Sequence, residues 1–401
     1  MPAIENLEVS AFTIPTSAPE ADGTLAWNET TIVVVQVSAD GVHGLGYTYA
    51  NASTAHLIDS LLKPLVAGSD CVRTAEIWST MRRAVRNLGA AGICAMAIAA
   101  VDIALWDLKA RCWRTPLYRL LGGARTRIPV YGSGGFVSYS TKQLESQLGG
   151  WASDGMRAVK MKVGAHPEDD VARVRAARKA IGDGVRLMVD ANGAYNRKQA
   201  LRKAAEFLDL GVSWFEEPVS SDDLAGLQLI RNQGPAGMEI AAGEYGYDAP
   251  YFRRMLEHDA VDVLQADATR CVGITGFLQA DALCQAFGPP LSAHTAPSLH
   301  AHLCCGLAAA RDVEYFYDHV RIEQAVFEGA VKAEEGMLRP DPHRPGLGLE
   351  LKTSNIERYR VYGINDSRRS SSGRSAAAAS RRPAGIRRRG AGRAFAARHS
   401  G

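Results

Sequence analysis

The sequence has few features of an exported, disulfide-bonded or membrane-spanning protein. Its seven cysteines are an odd number and form no CxxC pair, which predicts reduced, packed thiols rather than zinc ligands. Residues 1–6 lack the basic stretch and apolar core of a secretory signal, so we expect a cytoplasmic protein. The longest weakly polar run, residues 90–110, contains Asp102 and Asp107, which favours a buried helix over a membrane span.

Acidic residues are nearly absent from the end of the chain. Residues 364–401 contain ten arginines and one acid, Asp366, and so carry a net charge of +9, whereas residues 1–363 carry −6. The Arg/Ser/Ala/Gly composition of this tail cannot build a core, which predicts a disordered segment that is dispensable for catalysis. The positive charge of the tail would favour binding to nucleic acid, but the tail contains a single aromatic residue, Phe395, that could stack on bases. A non-catalytic small-acid binder or a nucleic-acid protein is therefore only a distant alternative.

The first part of the chain, residues 1–125, predicts an α+β domain. Residues 16–29 are polar and contain glycine and proline, which predicts a mobile loop. Alternating and helical apolar patterns predict three strands followed by three helices, at residues 4–14, 30–38, 44–49, 52–66, 74–87 and 91–112.

From residue 126 onward, short apolar strands alternate with amphipathic helices. This alternation, with a period of about 26 residues, predicts an α/β barrel of eight parallel strands over residues 126–320. A doubly wound sheet is less favoured, because no glycine-rich phosphate turn with GxGxxG spacing follows the first strand. The strands are expected to end near Gly134, Lys162, Asp190, Glu216, Glu244, Asp267, His294 and Glu314.

Nearly all of these predicted strand ends carry an ionisable residue, and in such barrels the strand ends form the rim of the active site. Lys160 and Lys162 alternate with apolar residues, so both side chains are expected to point into the barrel mouth. Mutual repulsion between the two ammonium groups predicts a lowered pKa, which would let one of them act as a base near neutral pH.

Three carboxylates end the next three predicted strands: Asp190, Glu216 and Glu244. Three such charges in one cavity repel one another unless a divalent cation lies between them, and a set of oxygen ligands favours Mg²⁺ over zinc. Asn192 shares the face of Asp190 and can add a neutral hydrogen bond. Glu217 is expected to point away from the cavity and to have a structural role.

An acid–base pair is predicted on the opposite side of the barrel. Asp267 and His294 end neighbouring strands, and the carboxylate would fix the tautomer of the imidazole and raise its basicity. Glu314, at the last strand end, is expected to stay protonated and to donate a hydrogen bond to a developing negative charge. His300 and His302 fall within the following helix and are interpreted as structural residues.

Together these motifs resemble the enolase superfamily and, within it, the mandelate racemase group, over about residues 3–362. The resemblance implies a modified TIM barrel, (β/α)7β, with an N-terminal α+β capping domain on which residues 321–363 pack. It also implies one Mg²⁺ held by Asp190, Glu216 and Glu244. Branches of the family that resemble muconate cycloisomerase or dipeptide epimerases place a lysine on the sixth strand, where this chain has Asp267.

The same resemblance implies catalytic roles for five residues. Lys160 would neutralise the carboxylate of the substrate, Lys162 would be a base on one face, and His294 with Asp267 would act on the other face. Glu314 would hydrogen-bond the enolate oxygen. The implied reaction is removal of the proton next to a carboxylate, through an enediolate.

Two outcomes of this reaction are open: loss of a hydroxyl from a sugar acid, which gives a 2-keto-3-deoxy acid, or racemisation or epimerisation of a 2-hydroxy acid. Dehydration is the favoured hypothesis, because it is the commoner activity in this group. Trp27 and Tyr47, on the capping segments, and Asn192 are expected to contact the substrate. The family often forms symmetric oligomers, so a homo-oligomer is expected, with a small carboxylate as the substrate and no membrane partner.

Overall fold

The structure, a computed structural model, describes residues 2–363, so the predicted disorder of the basic tail lies outside the described residues. An antiparallel hairpin begins the fold. Its strands β1 (Asn6–Ala21) and β2 (Ala26–Ala39) pair from Asn6↔Ser38 to Ala21↔Ala26, and β3 (Val42–Tyr49) pairs with the far side of β2. The predicted loop at residues 16–29 is therefore wrong. The hairpin strands continue through this segment and leave a short turn at Asp22–Leu25, where Asp22 Oδ1 accepts from the Leu25 backbone N–H.

Helices pack on one face of this sheet because their apolar residues form a continuous surface. The first predicted helix, residues 52–66, is a helical segment whose central turn, Ile58–Leu62, is π-helical. The longest helix, α4, carries Asp102 and Asp107 into the interior, where each accepts backbone hydrogen bonds. The helices of this part are α1 (Ser53–Leu57), α2 (Lys63–Val66), α3 (Thr74–Ala84), α4 (Ile93–Cys112) and α5 (Leu117–Leu120).

Eight parallel strands form a closed barrel after this domain, because the last strand pairs with the first: Val313↔Val130 continues to Phe316↔Ser133. The apolar residues that alternate with the ionisable ones face the surrounding helices, which fixes the register. The strands are β4 (Ile128–Gly134), β5 (Ala158–Lys162), β6 (Arg186–Asp190), β7 (Val212–Glu216), β8 (Glu239–Ala242), β9 (Val263–Ala266), β10 (Leu291–Ala293) and β11 (Ala310–Phe316).

Seven helices connect the eight strands, one between each consecutive pair. This arrangement is the (β/α)7β form, and the predicted barrel with an N-terminal α+β domain is confirmed. The helices are α6 (Thr141–Ser153), α7 (Asp170–Ile181), α8 (Arg197–Leu208), α9 (Leu224–Gln233), α10 (Ala249–Glu257), α11 (Ile274–Phe287) and α12 (Pro297–Gly306).

The chain then returns from the barrel to the N-terminal sheet. Its final strand β15 pairs antiparallel with β1, at Ala11↔Tyr362 and Phe12↔Arg360. The strand β13 extends the barrel sheet by pairing antiparallel with the start of β4. The elements of this segment are α13 (Tyr317–Val326), β12 (Phe327–Glu328), β13 (Met337–Leu338), β14 (Glu350–Leu351), α14 (Thr353–Ile356) and β15 (Arg360–Tyr362).

The tip of the β1–β2 hairpin lies on the rim of the barrel. Gly23 packs there so closely that a Cβ would lie 2.5 Å from the carbonyl oxygen of Ala191 and 2.7 Å from that of Val163. The carbonyl of Ala21 accepts a hydrogen bond from the backbone N–H of Val137, at 2.9 Å. This contact requires glycine and places the hairpin over the carboxyl ends of the barrel strands. Among residues 2–363, no helix is long and apolar enough to span a bilayer.

Candidate active site

Three carboxylates converge at the carboxyl ends of neighbouring strands. Asp190 and Glu216 are the last residues of β6 and β7, and Glu244 lies just after β8. One oxygen from each carboxylate lies within 4.8 Å of those of the other two, and all three residues are buried. Parallel strands in register bring their ends to one rim, so three residues on successive strands, spread from position 190 to position 244, meet here.

The donor set of this cluster fits a hard divalent cation. Every ligand atom is a carboxylate oxygen, and Glu244 Oε2 is buried and forms no hydrogen bond in the described part of the chain, with His294 Nε2 in ion-pair range at 3.2 Å. The other carboxylates are oriented by neutral donors: the backbone N–H of Asn192 lies 2.9 Å from Asp190 Oδ1, and Trp214 Nε1 lies 3.0 Å from Glu216 Oε2. Buried negative charges held this way need a compensating cation.

Two lysines supply part of that compensation. Lys160 Nζ lies 2.5 Å from Glu216 Oε1 and 2.9 Å from Glu314 Oε1, and Lys162 Nζ lies 2.5 Å from Asp190 Oδ2. The neighbouring carboxylates outweigh both burial and repulsion, so the pKa of each lysine is raised above its usual value. The predicted lowering of a lysine pKa is therefore wrong for these contacts, because the sequence argument counted the ammonium charges alone.

The predicted acid–base pair forms as expected in position. His294 Nδ1 lies 2.9 Å from Asp267 Oδ2, while Nε2 lies 3.2 Å from Glu244 Oε2. Burial opposes ionisation of Asp267, but the hydrogen bond and charge of His294 hold the pKa of Asp267 below its usual range. The other carboxylate oxygen of Asp267 accepts from the backbone N–H and the hydroxyl of Thr269, both at 2.7 Å. The imidazole is thus held by a carboxylate that is itself fixed.

His300 and His302 form hydrogen bonds with backbone groups. His300 Nε2 accepts from the N–H of Ala268 at 3.0 Å, and its Nδ1 lies 2.7 Å from the carbonyl of Thr295. His302 Nδ1 accepts from the N–H of Tyr118 at 3.4 Å. Neither ring lines the cavity described below, which agrees with their interpretation as structural residues.

Glu314 departs from its predicted protonation state. Its carboxylate accepts from Ser133 Oγ at 2.6 Å and from the backbone N–H of Thr295 at 3.1 Å, and it pairs with Lys160. Burial opposes ionisation, but the charges of Lys160 and His294 lower the pKa of Glu314 below its usual range. An ionised carboxylate accepts hydrogen bonds and cannot donate one, so the expectation of a protonated Glu314 is wrong for this arrangement.

Strained backbone marks the rim of the site. Four non-glycine residues immediately after the strand ends have positive φ: +46° at Asn192, +36° at Glu217, +52° at Thr295 and +40° at Ala296. Such conformations cost on the order of 1–3 kcal/mol each and persist only where the surroundings hold them. Glu217 is buried with no partner for its Oε1 atom among the described residues. Its structural role remains a prediction.

A cavity of about 480 Å³ opens between this rim and the β1–β2 hairpin. Its floor is formed by barrel residues that include Lys162, Glu244 and His294. Its opposite side, called here the cap side, is formed by residues of the N-terminal domain: Asp22, Leu25, Trp27, Glu29, Thr30, Thr31, Tyr49, Ala50 and Asn51. The cavity therefore joins the predicted bases to segments far from them in sequence.

Of the three residues predicted to contact the substrate, two line the cavity and one does not. Trp27 and Asn192 line it, and Trp27 Nε1 donates to Glu20 Oε2 at 3.0 Å. Tyr47 is fully buried beneath the sheet, where its hydroxyl donates to Glu323 Oε1 at 2.7 Å, so its prediction as a substrate contact is wrong. Tyr49, two residues further along the same face of β3 and at the end of the strand, lines the cavity instead.

Lys160 is also placed differently from its expected role. Its side chain is 1% exposed and does not line the cavity, so a direct contact with the substrate carboxylate is not what this arrangement provides. It lies below the floor and holds Glu216 and Glu314 together through its ammonium group. The sequence argument treated Lys160 and Lys162 alike because they share a face of β5. Lys162 lies two residues further along the strand, however, and is therefore nearer the mouth of the barrel.

Two cavity residues were not predicted from the sequence. Arg270 lies 3.6 Å from Glu244 Oε1 and 3.7 Å from Asp267 Oδ2, and its guanidinium covers the ring of Tyr245. Its position three residues after Asp267, in the loop that follows a barrel strand, is a signal that sequence reasoning could have used. His319, in the first turn of α13, lines the cavity and stacks on Tyr49 of the cap side. No motif singles it out.

Family models match both parts of the chain. The mandelate racemase / muconate lactonizing enzyme N-terminal domain matches residues 8–122, and the enolase C-terminal domain-like model matches residues 143–355. The 3,6-anhydro-alpha-L-galactonate cycloisomerase of Streptomyces coelicolor is 32% identical, over 89% of this chain and 99% of its own length. The L-talarate/galactarate dehydratase of Salmonella typhimurium is 30% identical, over 87% and 89%.

Solved structures agree with these matches. A mandelate racemase/muconate lactonizing enzyme-like protein from Rubrobacter xylanophilus superposes with a TM-score of 0.88 at 52% identity, covering 90% of this chain and all of its own. The Salmonella dehydratase, solved with Mg and L-lyxarohydroxamate, superposes with a TM-score of 0.81 at 27% identity, covering 90% and 93%. Fold, matched domains and identity together show that the chain belongs to the mandelate racemase group of the enolase superfamily.

Proposed function

We propose that this protein dehydrates a sugar acid, an aldonate or an aldarate, to a 2-keto-3-deoxy acid. The observation that carries the proposal is the presence of two potential bases in one cavity, Lys162 and His294, with a carboxylate cluster between them. Proton removal next to a carboxylate needs a base close to the carbon and positive charge near the carboxylate, and this cavity offers both.

The carboxylate cluster supplies the place for a metal ion. Asp190, Glu216 and Glu244 would hold one Mg²⁺, which suits their oxygen-only donor set. When bound, the ion polarises the carboxylate of the substrate and stabilises the negative charge that develops on it. Its positive charge would also offset the carboxylates that now raise the pKa of Lys162, and so favour the neutral amine that a base requires.

The residues of the chain itself would carry the proton transfers. One of the two bases removes the C2 proton, and the electron pair moves into the carboxylate to give an enediolate. That pair then returns to expel the C3 hydroxyl, which takes a proton and leaves as water, and the resulting enol rearranges to the 2-keto acid. His294, whose Nδ1 lies 2.9 Å from Asp267, would exchange protons on the face of the substrate opposite Lys162.

The cap side of the cavity supports a polyhydroxylated substrate rather than an aromatic one. It presents the polar side chains of Asp22, Glu29, Thr31 and Asn51. These groups match hydroxyls, whereas an aromatic ring would leave them without partners. The similarity to a sugar-acid dehydratase and to a cycloisomerase of a sugar acid, both enzymes, points the same way.

Isomerisation is the second candidate, and two observations favour it. Bases on two sides of a cavity can remove a proton from one face and return it to the other, which gives racemisation or epimerisation. In addition, a relative that covers most of this chain is a cycloisomerase. With an anhydro acid, the same proton removal would be followed by cleavage of the C3–O bond of the ring, so that the leaving oxygen takes a proton and stays in the product as a hydroxyl and no water is released.

Product analysis separates the candidates. We would incubate the purified protein with Mg²⁺ and a panel of aldonic, aldaric and anhydro acids in D₂O and follow each by ¹H NMR. A dehydratase gives a 2-keto-3-deoxy acid with deuterium at C3. Deuterium exchange at C2 without elimination on every acid, or ring opening alone, would reject the dehydratase proposal and favour an isomerase.

A further inference from the structure

His319 lies in the cavity without a use that the fold explains. Its side chain lines the cavity, and the residue is 8% exposed. Its Nδ1 atom is buried and accepts or donates no hydrogen bond within residues 2–363. Buried polar atoms are nearly always paired, so an unpaired ring nitrogen at a cavity wall indicates a missing partner.

Aromatic contacts fix the orientation of this ring. It stacks on Tyr49 with ring centres 3.4 Å apart and an interplanar angle of 12°, and it meets the edge of Phe316 at 5.1 Å. Both contacts are with aromatic rings, and neither supplies a hydrogen-bond partner for Nδ1. A side chain locked by packing in this way is suited to recognition, since little conformational entropy is lost on binding.

The surroundings of His319 keep it neutral. Burial and the nearby His294 lower its pKa to about 3, against weaker opposing effects from Asp267 and Glu314; Arg270 also lowers it. A neutral imidazole offers one donor and one acceptor, which suits an alcohol hydroxyl. A carboxylate at the same place would find no positive charge on this ring.

The charges on the cap side also disfavour a second carboxylate. Asp22 and Glu29 are the ionisable residues of the N-terminal domain that line the cavity, and both are acidic. Lys162 lies on the floor, and the other lysine or arginine that lines the cavity, Arg270, lies 3.6 Å from Glu244 and 3.7 Å from Asp267, which engage its charge. A substrate whose carboxylate lies at the floor would extend its far end toward this acidic, hydroxyl-matching side.

From these contacts we infer that the cavity selects sugar acids whose far end is an uncharged, hydroxyl-bearing chain, and that His319 hydrogen-bonds a hydroxyl of that chain. The inference rests on the proposed function and narrows it from aldonates and aldarates to aldonates. His319 is then a specificity residue for the part of the substrate beyond C3, separate from the bases at the floor.

A crossed pair of substitutions tests the role of His319. His319→Phe keeps the stack on Tyr49 but removes both ring nitrogens, whereas His319→Gln keeps hydrogen-bonding groups but loses the ring. On the aldonate that the wild type turns over fastest, we expect His319→Phe to lose about 10- to 100-fold in kcat/KM, and His319→Gln to stay within about 5-fold of wild type. The exposed His43, on β3, gives a matched control as His43→Phe.

Any other order of the two variants overturns the role of His319. A purely structural ring would give the reverse, with His319→Phe active and His319→Gln impaired. Thermal unfolding of each variant, expected within about 3 °C of wild type for His319→Phe, separates a local loss from a failure to fold. Equal losses in both variants, or none in either, also count against the hydrogen bond.

A second comparison tests the uncharged end. We expect the wild type to prefer an aldonate over the aldarate of the same chain length and configuration by at least about 10-fold in kcat/KM. Equal rates, or a preference for the aldarate, would overturn this part of the inference. If the wild type dehydrates no sugar acid at all, the proposed function itself fails, and this result is distinguishable because it precedes any comparison of variants.

Discussion

The side chains on the floor and on the cap side of the cavity are held in place by different kinds of interaction. On the floor, Lys162, Asp190 and His294 are buried and paired through charged contacts of 2.5 to 3.2 Å. On the cap side, Trp27 is held by a ring contact with Phe136 and a hydrogen bond to Glu20, and Tyr49 stacks on the neighbouring His319 of α13. The floor is arranged to control protons and charge, whereas the cap side is arranged to fit a shape and its hydroxyls. We therefore expect substitutions on the floor to lower the rate of chemistry and substitutions on the cap side to change substrate preference.

The largest expected effect comes from removing a ligand at the floor. Asp190→Asn deletes one charge of the proposed metal site, and we expect kcat to fall by about 10³-fold or more because the stabilisation of developing charge is lost. The wild type should also gain thermal stability on addition of Mg²⁺, and the variant should not. Asp183→Asn, the same change at an exposed position, is the control. An equal Mg²⁺-dependent gain in thermal stability for the wild type and Asp190→Asn would contradict the metal site.

A smaller effect is expected where the cap meets the floor. In Gly23→Ala the new Cβ would lie 2.5 Å from the carbonyl oxygen of Ala191, so the hairpin tip has to move away from the rim. We expect kcat/KM to fall about 10- to 100-fold, because a misplaced wall costs substrate positioning. The fold itself should remain, as judged by circular dichroism. Gly184→Ala, at a glycine that also lacks positive φ but has open space around it, tests for a general effect of replacing a glycine.

The cap side should also respond to pH through Glu20. Burial and the nearby Asp318 raise the pKa of Glu20 to about 8, so the protonated form is favoured in the folded chain. Its contribution to the free energy of unfolding is complete below about pH 4.5 and is lost as pH rises through 8. Between pH 5 and pH 9, we expect the free energy of unfolding of the wild type to fall by about 1–3 kcal/mol more than that of Glu20→Gln, as measured by chemical denaturation. An unchanged slope would contradict a buried, protonated Glu20.

The smallest effect on activity is expected at Tyr47, which lies beneath the cap sheet rather than in the cavity. Tyr47→Phe removes the 2.7 Å hydrogen bond to Glu323 and should lower the free energy of unfolding by about 1–2 kcal/mol. Values of kcat and KM should stay within about 2-fold of wild type. A large rise in KM with normal stability would instead restore Tyr47 as a substrate contact.

The same contrast explains how much the sequence predicts. The barrel and the positions of Asp190, Glu216 and His294 follow from strand alternation and period, because each residue is fixed by its own strand. The protonation of Glu314 does not follow, since it depends on Lys160 and Ser133, which lie on other strands. Pairwise charge arguments fail where several buried charges meet.

The cap side is harder to predict for a related reason. The segment 16–29 reads as a loop because it is polar and contains glycine and proline, but pairing with its own return strand makes it a hairpin. Its docking on the rim depends on contacts with Ala191 and Val163, which lie far away in sequence. His319 lies after the last barrel strand in a helix with no motif, and only the assembled cavity shows its unpaired nitrogen.

The most direct test of the account compares Lys162→Ala and His294→Asn with the wild type in a Mg²⁺-dependent NMR assay on sugar acids. We expect the wild type to form a 2-keto-3-deoxy acid, and each variant to lose about 10²- to 10⁴-fold in rate, because each lacks a proton-transfer group on one side of the cavity. Formation of the product by both variants at the wild-type rate would contradict the assignment of these two residues as the bases.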